Sequence, residues 1–136
     1  MGRVPEAGLT PVQFEILEAA WDAADGASVA EIWEAIAARR EVGRTTILNL
    51  VDRLEKRGWL ARKKVEGVFR YTPTVSREVA AGNVAADFVD AFFSGSASEL
   101  VMSLLGSKKI SADEVEQLRA MLDARARDQQ NKGTRK

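Results

Sequence analysis

The chain has 136 residues, 46% of them hydrophobic and 29% charged, enough for one ordinary domain or a small domain with a helical appendage. It contains no cysteine and no histidine, which removes disulfides, thiolate nucleophiles, the usual zinc ligands and the common nucleophile–base pairs. Carboxylate-only catalysis stays formally open, but no glycine-rich phosphate loop or cluster of acids accompanies it, so the composition argues against an enzyme and asks for no cofactor.

No apolar run approaches the roughly 20 residues that span a bilayer, and Met1-Gly-Arg-Val-Pro5 has no apolar secretory stretch. The expectation is a cytoplasmic protein with no membrane partner. Twenty basic and twenty acidic side chains cancel overall but not locally. Residues 1–38 carry one basic and seven acidic side chains, a net of −6; residues 39–77 carry eleven and four, a net of +7; residues 78–136 carry eight and nine, a net of −1. Such a basic block is the electrostatic footprint of a nucleic-acid surface, although a solvated charged face gives the same count.

In chain order, Thr10-Pro11-Val12-Gln13 reads as a helix start, with a capping threonine, proline in the first turn and a glutamine able to reach back. Phe14, Leu17 and Trp21 follow at helical spacing, and Asp25-Gly26 stops the element. Ser28-Val-Ala-Glu31 is a second capping box, ahead of Val29, Ile32, Trp33 and Ile36 on one face, and this short helix ends near Arg39-Arg40. A third helix is predicted from Arg44 to Arg57, with Ile47, Leu50, Val51 and Leu54 towards a core and Gly58 as its stop. Leu60–Val65 and Val68–Thr72 read as strands joined by Glu66-Gly67, a tight hairpin closed by Pro73.

From Ser76 onward the pattern is helical. One helix runs towards Phe93, carrying Val79, Val84, Phe88, Val89 and Phe92, and Ser94-Gly95-Ser96 breaks it. A short apolar helix from Leu100 to Leu105 ends at Gly106. Ser111-Ala-Asp-Glu114 caps a last helix with Val115, Leu118, Met121 and Leu122, and beyond Arg127 the polar tail is expected to fray.

Three helices and a hairpin in about 65 residues is the element order of a winged helix-turn-helix, so the fold class is mainly α with a small β-hairpin. Residues 1–75 form the DNA-binding head, 76–127 a helical dimerisation region and 128–136 a polar tail. Fourteen residues of third helix measure roughly 21 Å, long enough to lie in a major groove about 12 Å wide. On its outward side Arg44, Thr45 and Thr46 can reach base or phosphate, Leu48 a thymine methyl, and Asn49 an adenine edge. Lys56, Arg57, Arg62, Lys63 and Lys64, with Gly67 at the hairpin tip, are the candidate phosphate contacts.

Each has a duller reading: Asn49 can be simply solvated, as an asparagine on an exposed helix face often is, Arg53 can pair with an acid inside the fold, and Lys63-Lys64 can guard an edge strand. Trp21, Trp33 and Trp59 read as core. For the tail, Phe88, Phe92, Phe93, Leu100, Val101, Leu104, Leu105, Leu118, Met121 and Leu122 are more apolar groups than three short helices can bury alone, which calls for a second copy of the chain. A winged helix that docks proteins without touching DNA is the competing function; it would expose apolar anchors where Arg62, Lys63 and Lys64 stand.

Three segments, Leu9 to Trp21, Thr45 to Gly58 and Gly67-Val-Phe-Arg-Tyr-Thr-Pro73, resemble the penicillinase-repressor and methicillin-resistance-repressor family of bacterial regulators, and the likeness runs from about Leu9 to Leu122. It implies a homodimer that binds a palindromic operator in double-stranded DNA and represses transcription. In penicillin-responsive members a sensor-protease pathway leads to cleavage in the dimerisation region. The matching bond here is Ser103–Leu104, where those members have Asn–Phe, and Arg44-Thr45 stands where the penicillinase type has Pro-Lys. Copper-responsive relatives bind metal through C-terminal cysteines, which this chain lacks.

Overall fold

The computed structural model describes residues 5–134, in the order α1 (Pro11–Trp21), α2 (Val29–Ala37), α3 (Arg44–Lys56), β1 (Leu60–Val65), β2 (Val68–Pro73), α4 (Arg77–Phe92), α5 (Ala97–Gly106) and α6 (Ala112–Thr134). Both N-terminal capping boxes form as the sequence predicts. Thr10 Oγ1 accepts from the Gln13 amide at 3.2 Å while Gln13 Oε1 accepts from the Thr10 amide at 2.9 Å, and Ser28 and Glu31 repeat the exchange for α2. Two backbone N–H groups at each helix start, which would otherwise lack partners, are thereby satisfied.

The buried face of α1 is rotated slightly from the predicted stripe. Gln13, Ile16, Leu17 and Ala20 point inward, whereas Phe14 and Trp21 lie at the edge, meeting edge-to-face with ring centroids 5.7 Å apart. They are joined in the core by Ile32 and Ile36 of α2, Ile47, Val51 and Leu54 of α3, and Trp59, Leu60 and Tyr71 of the hairpin. Only Trp59 of the three tryptophans is fully buried; Trp21 and Trp33 pack against the core from its rim. Each indole N–H is satisfied by a backbone carbonyl: Trp21 by Val75, Trp33 by Val42 and Trp59 by Glu6.

β1 and β2 pair antiparallel with Val65 opposite Val68, leaving a two-residue turn. Glu66 (φ 50°) and Gly67 (φ 81°) both occupy the left-handed region, the requirement of the turn whose twist matches a hairpin. A one-residue bridge adds Ala27 beside Tyr71, with amide–carbonyl bonds of 3.0 and 2.8 Å.

The described chain forms two compact units, one reaching Phe88 and the other starting at Val89. That division is later than the change of composition near residue 76, because the first turns of α4 belong to the head: Ala80 is buried in its core and Asp87 accepts a bond from the Gly8 amide at 3.1 Å. In the second unit, Ser96 caps α5 through the Glu99 amide, and Ser111 and Glu114 form the third capping box. α6 does not end at Arg127 but continues to Thr134. Ala124, Ala126 and the unbranched Arg125, Arg127, Gln129 and Gln130 are good helix formers, so polarity there does not interrupt the helix. The tail's last two residues lie outside the described ones. After Ala80 no described residue is buried.

Candidate nucleic-acid interface

α3 divides cleanly by face. Ile47, Val51 and Leu54 are fully buried, while Arg44, Thr45, Thr46, Leu48, Asn49, Arg53 and Lys56 are exposed. Thr46, Asn49 and Arg53 succeed one another at three- and four-residue steps, which places them on one exposed stripe. Arg44 at the helix start lies with its guanidinium 5.0 Å above the Trp33 ring.

The hairpin's alternation sorts its cations. Arg62 and Lys64 share a face with Phe69, their charged groups 4.3 and 5.6 Å from its ring centre. Lys63 points to the opposite face, across from Arg70. These arginine and lysine stems lie along an exposed aromatic and keep their heads in water. Gly67 at the tip has open space where a Cβ would stand, so backbone there can approach a partner closely.

The basic block is smaller at the surface than its charge count suggests, because four of its eleven cations are engaged by the acidic N-terminal block. Arg40 pairs with Glu15. Arg70 binds Glu31 at 3.0 Å and the Gly26 carbonyl at 3.1 Å. Arg77 binds Glu18 at 2.7 Å and lies 5.2 Å from the Trp21 ring centre. Arg57 corrects the sequence assignment: its Nη2 donates to the carbonyls of Glu6, Ala7 and Gly8, at 3.0, 2.5 and 3.1 Å. A guanidinium with five donors suits three converging carbonyls, and this one fastens the N-terminal segment instead of facing outward.

What remains is Arg39, Arg44, Arg53, Lys56, Arg62, Lys63 and Lys64. Lys56 makes an exposed pair with Asp52 at 3.0 Å, a contact that water and salt weaken. Arg53 has no ion-pair partner among the described residues and lies on the α3 stripe, so it joins the site. Arg39, exposed beyond the end of α2, was marked in the sequence only as a helix terminus. The free positions follow from which acids the fold brings close, which a count along the chain does not contain.

Glu31 has its carboxyl held below the usual carboxylate range, mainly by the hydrogen bond from the Ser28 backbone, which burial partly opposes, with lesser lowering from the charge and hydrogen bond of Arg70. No group of acids able to hold a metal occurs among the described residues. Nor is any single described helix long and apolar enough to cross a membrane.

Three helices, a twisted hairpin wing and a largely polar outward face on the third helix, beside cations that the acidic N-terminal block does not engage, define a winged helix-turn-helix of the DNA-binding class. The family model described as penicillinase repressor matches residues 9–124. The chain is 29% identical over 116 residues to the methicillin resistance regulatory protein MecI of Mammaliicoccus sciuri, covering 81% of this chain and 94% of that one. It is 27% identical over 115 residues to the transcriptional regulator BlaI of Mycobacterium tuberculosis, covering 84% and 82%. The crystal structure of YusO from Bacillus subtilis superposes with a TM-score of 0.51 at 20% identity, over 88% of this chain and 76% of that one, a likeness of fold. The chain belongs to the penicillinase repressor family, and with it to the DNA-binding transcriptional repressors rather than to the enzymes.

Proposed function

We propose that the protein represses transcription in the cytoplasm as a homodimer on a palindromic operator, placing α3 in the major groove and the hairpin along the backbone. Thr45, Thr46 and Asn49 read base edges; Arg44, Arg53, Lys56, Arg62, Lys63 and Lys64 neutralise phosphates. The observation that carries this reading is the sorting of charge: Arg40, Arg70 and Arg77 pair with acids of the N-terminal block. Arg44 and Arg53 on α3 and Arg62, Lys63 and Lys64 on the wing do not, and Lys56 pairs only with Asp52 of its own helix. Two heads related by a two-fold axis engage half-sites about 10 base pairs apart, or a multiple of that.

The dimer is held by the second unit together with the end of α4. Phe92 is 71% exposed and Leu122 68%. With Phe88, Phe93, Leu100, Val101, Leu104, Leu105, Leu118 and Met121 they are the apolar groups offered to a second copy, whose stable interface covers about 800 Å² per partner in all. Repression ends when this region is cut at Ser103–Leu104 through a sensor-protease pathway. Ser103 is exposed on α5, and the Leu104 carbonyl accepts from the Lys109 amide at 3.1 Å and the Ser107 hydroxyl at 3.0 Å. A protease must therefore open the last turns of α5, which hold no buried side chain and belong to the low-stability end of the fold.

A mobility-shift titration of the full chain against the duplex upstream of its own gene, beside a scrambled duplex of equal length, tests the reading. Retardation of the upstream duplex at a protein concentration at least tenfold lower supports it. Equal affinity for both, or none for either, overturns it.

A further inference from the structure

The outward side of α3 is polar except at one place. Leu48 is 49% exposed. With Val29 and Ala30 from the first turn of α2, and Arg44 and Thr45 from the first turn of α3, it lines a small hollow open to solvent. The two helices are held in register at this point. The Trp33 indole donates to the Val42 carbonyl at 2.9 Å, pinning the turn between them, and the Arg44 guanidinium rests over the same ring.

A single exposed leucine is ordinary on a protein surface. An apolar hollow bordered by a cation and a hydroxyl, on the helix that enters the groove, is a more particular object. Among the groups that base pairs present in the major groove, the C5-methyl of thymine is the apolar one. We propose that this hollow seats the C5-methyl of one operator thymine per half-site, with Leu48 and Val29 as its apolar walls. Leu48 is then a specificity determinant of a kind distinct from Asn49, sensing a methyl group by desolvation instead of a hydrogen-bond pattern. The inference rests on the DNA-binding reading of α3.

The test begins with the full chain and a randomised duplex pool, from which a preferred site is selected. Each thymine of that site is then replaced singly by deoxyuridine, which lacks only the methyl. Removing one buried methyl is worth roughly fourfold in affinity, about 0.8 kcal/mol at 1.4 kcal/mol per tenfold. One position per half-site is expected to show that loss with the natural protein. Leu48→Ala, at a half-exposed helix position where alanine keeps the helix, is expected to bind the thymine and deoxyuridine duplexes alike at that position, with an unchanged circular dichroism spectrum. Binding to the selected site that is indifferent to deoxyuridine everywhere, or Leu48→Ala that keeps the fourfold preference, overturns the inference and leaves DNA binding intact. Failure to bind any duplex overturns both.

Discussion

Removing two cations from the basic block has opposite consequences depending on which two are removed. Lys63→Ala/Lys64→Ala takes charge from the wing, where neither lysine is engaged by an acid. Arg40→Ala/Arg77→Ala takes the same formal charge from the same block, but from residues bound to Glu15 and to Glu18 and Asp22. Each phosphate neutralised contributes about 0.9 to the slope of log affinity against log salt. If both lysines of both heads contact phosphate, the wing variant loses up to about 3.6 from that slope, roughly two decades of affinity difference between 50 and 200 mM salt. The arginine variant keeps its slope. Its pairs are part-exposed, so screening limits each to about 0.2–1 kcal/mol, and Arg77 loses a ring contact of about 0.5–1 kcal/mol as well. A total of about 1–3 kcal/mol lowers the melting temperature of a head this size by roughly 4–8 °C for each kcal/mol. Fluorescence anisotropy on one fixed duplex across that salt range, beside thermal melting of each variant, separates the two. Equal slope changes in both variants would show that the ion pairs do not remove these arginines from the DNA surface, and the sorting argument would fall.

Asn49→Ala is expected to lose about 1–3 kcal/mol on the preferred site and little on random DNA; equal losses on both, by competition titration, would end its role as a base reader. Leu118→Asp/Leu122→Asp is expected to turn a dimer into a monomer in sedimentation at micromolar concentration, with the head's melting unchanged, and a persistent dimer would move the interface elsewhere. Glu31 has a lowered carboxyl pKa, so its contribution to stability is complete above the ordinary carboxylate value and disappears as pH falls through the lower native one. Glu31→Gln is expected to flatten the melting temperature against pH in that acid window alone. If repression ends by cutting at Ser103–Leu104, immunoblots of induced cells show a shortened chain as target genes rise; induction with only full-length protein would rule the cut out.

Much of the fold is legible because its signals are local. Thr10/Gln13, Ser28/Glu31 and Ser111/Glu114 fix three helix starts through bonds that span three residues, and Glu66-Gly67 fixes the hairpin register through two backbone angles. Where tertiary packing competes, local reading drifts. Phe14 and Trp21 are larger than Gln13 and Ala20, yet the smaller pair sits in the core, because α2 and α3 approach α1 on that side. The first compact unit reaches Phe88, past the change of composition near residue 76, for the same reason: a small alanine at position 80 is recruited into the head, and hydrophobic spacing alone does not reveal to which core a stripe belongs.

The candidate site is legible in kind and not in membership. A net of +7 over residues 39–77 announces an anionic partner, but charge summed along a chain counts a guanidinium the same whether it faces a carboxylate or water. Arg57 and Arg53 show the difference, four residues apart at the end of one helix. Arg57 turns to three carbonyls of the N-terminal segment, a partner about fifty residues away that no window on the sequence contains. Arg53, for which an internal ion pair was an open reading, keeps to the exposed stripe with Thr46 and Asn49. The acidic first block is thus a structural counterpart of the basic one: Glu15, Glu18 and Glu31 hold Arg40, Arg77 and Arg70. Neutralising those arginines leaves most of the block's unbalanced positive charge on α3 and on Arg62, Lys63 and Lys64 of the wing. A chain of zero net charge can in this way present a directional positive surface, which steers one face of the head towards phosphate without general attraction to every anion.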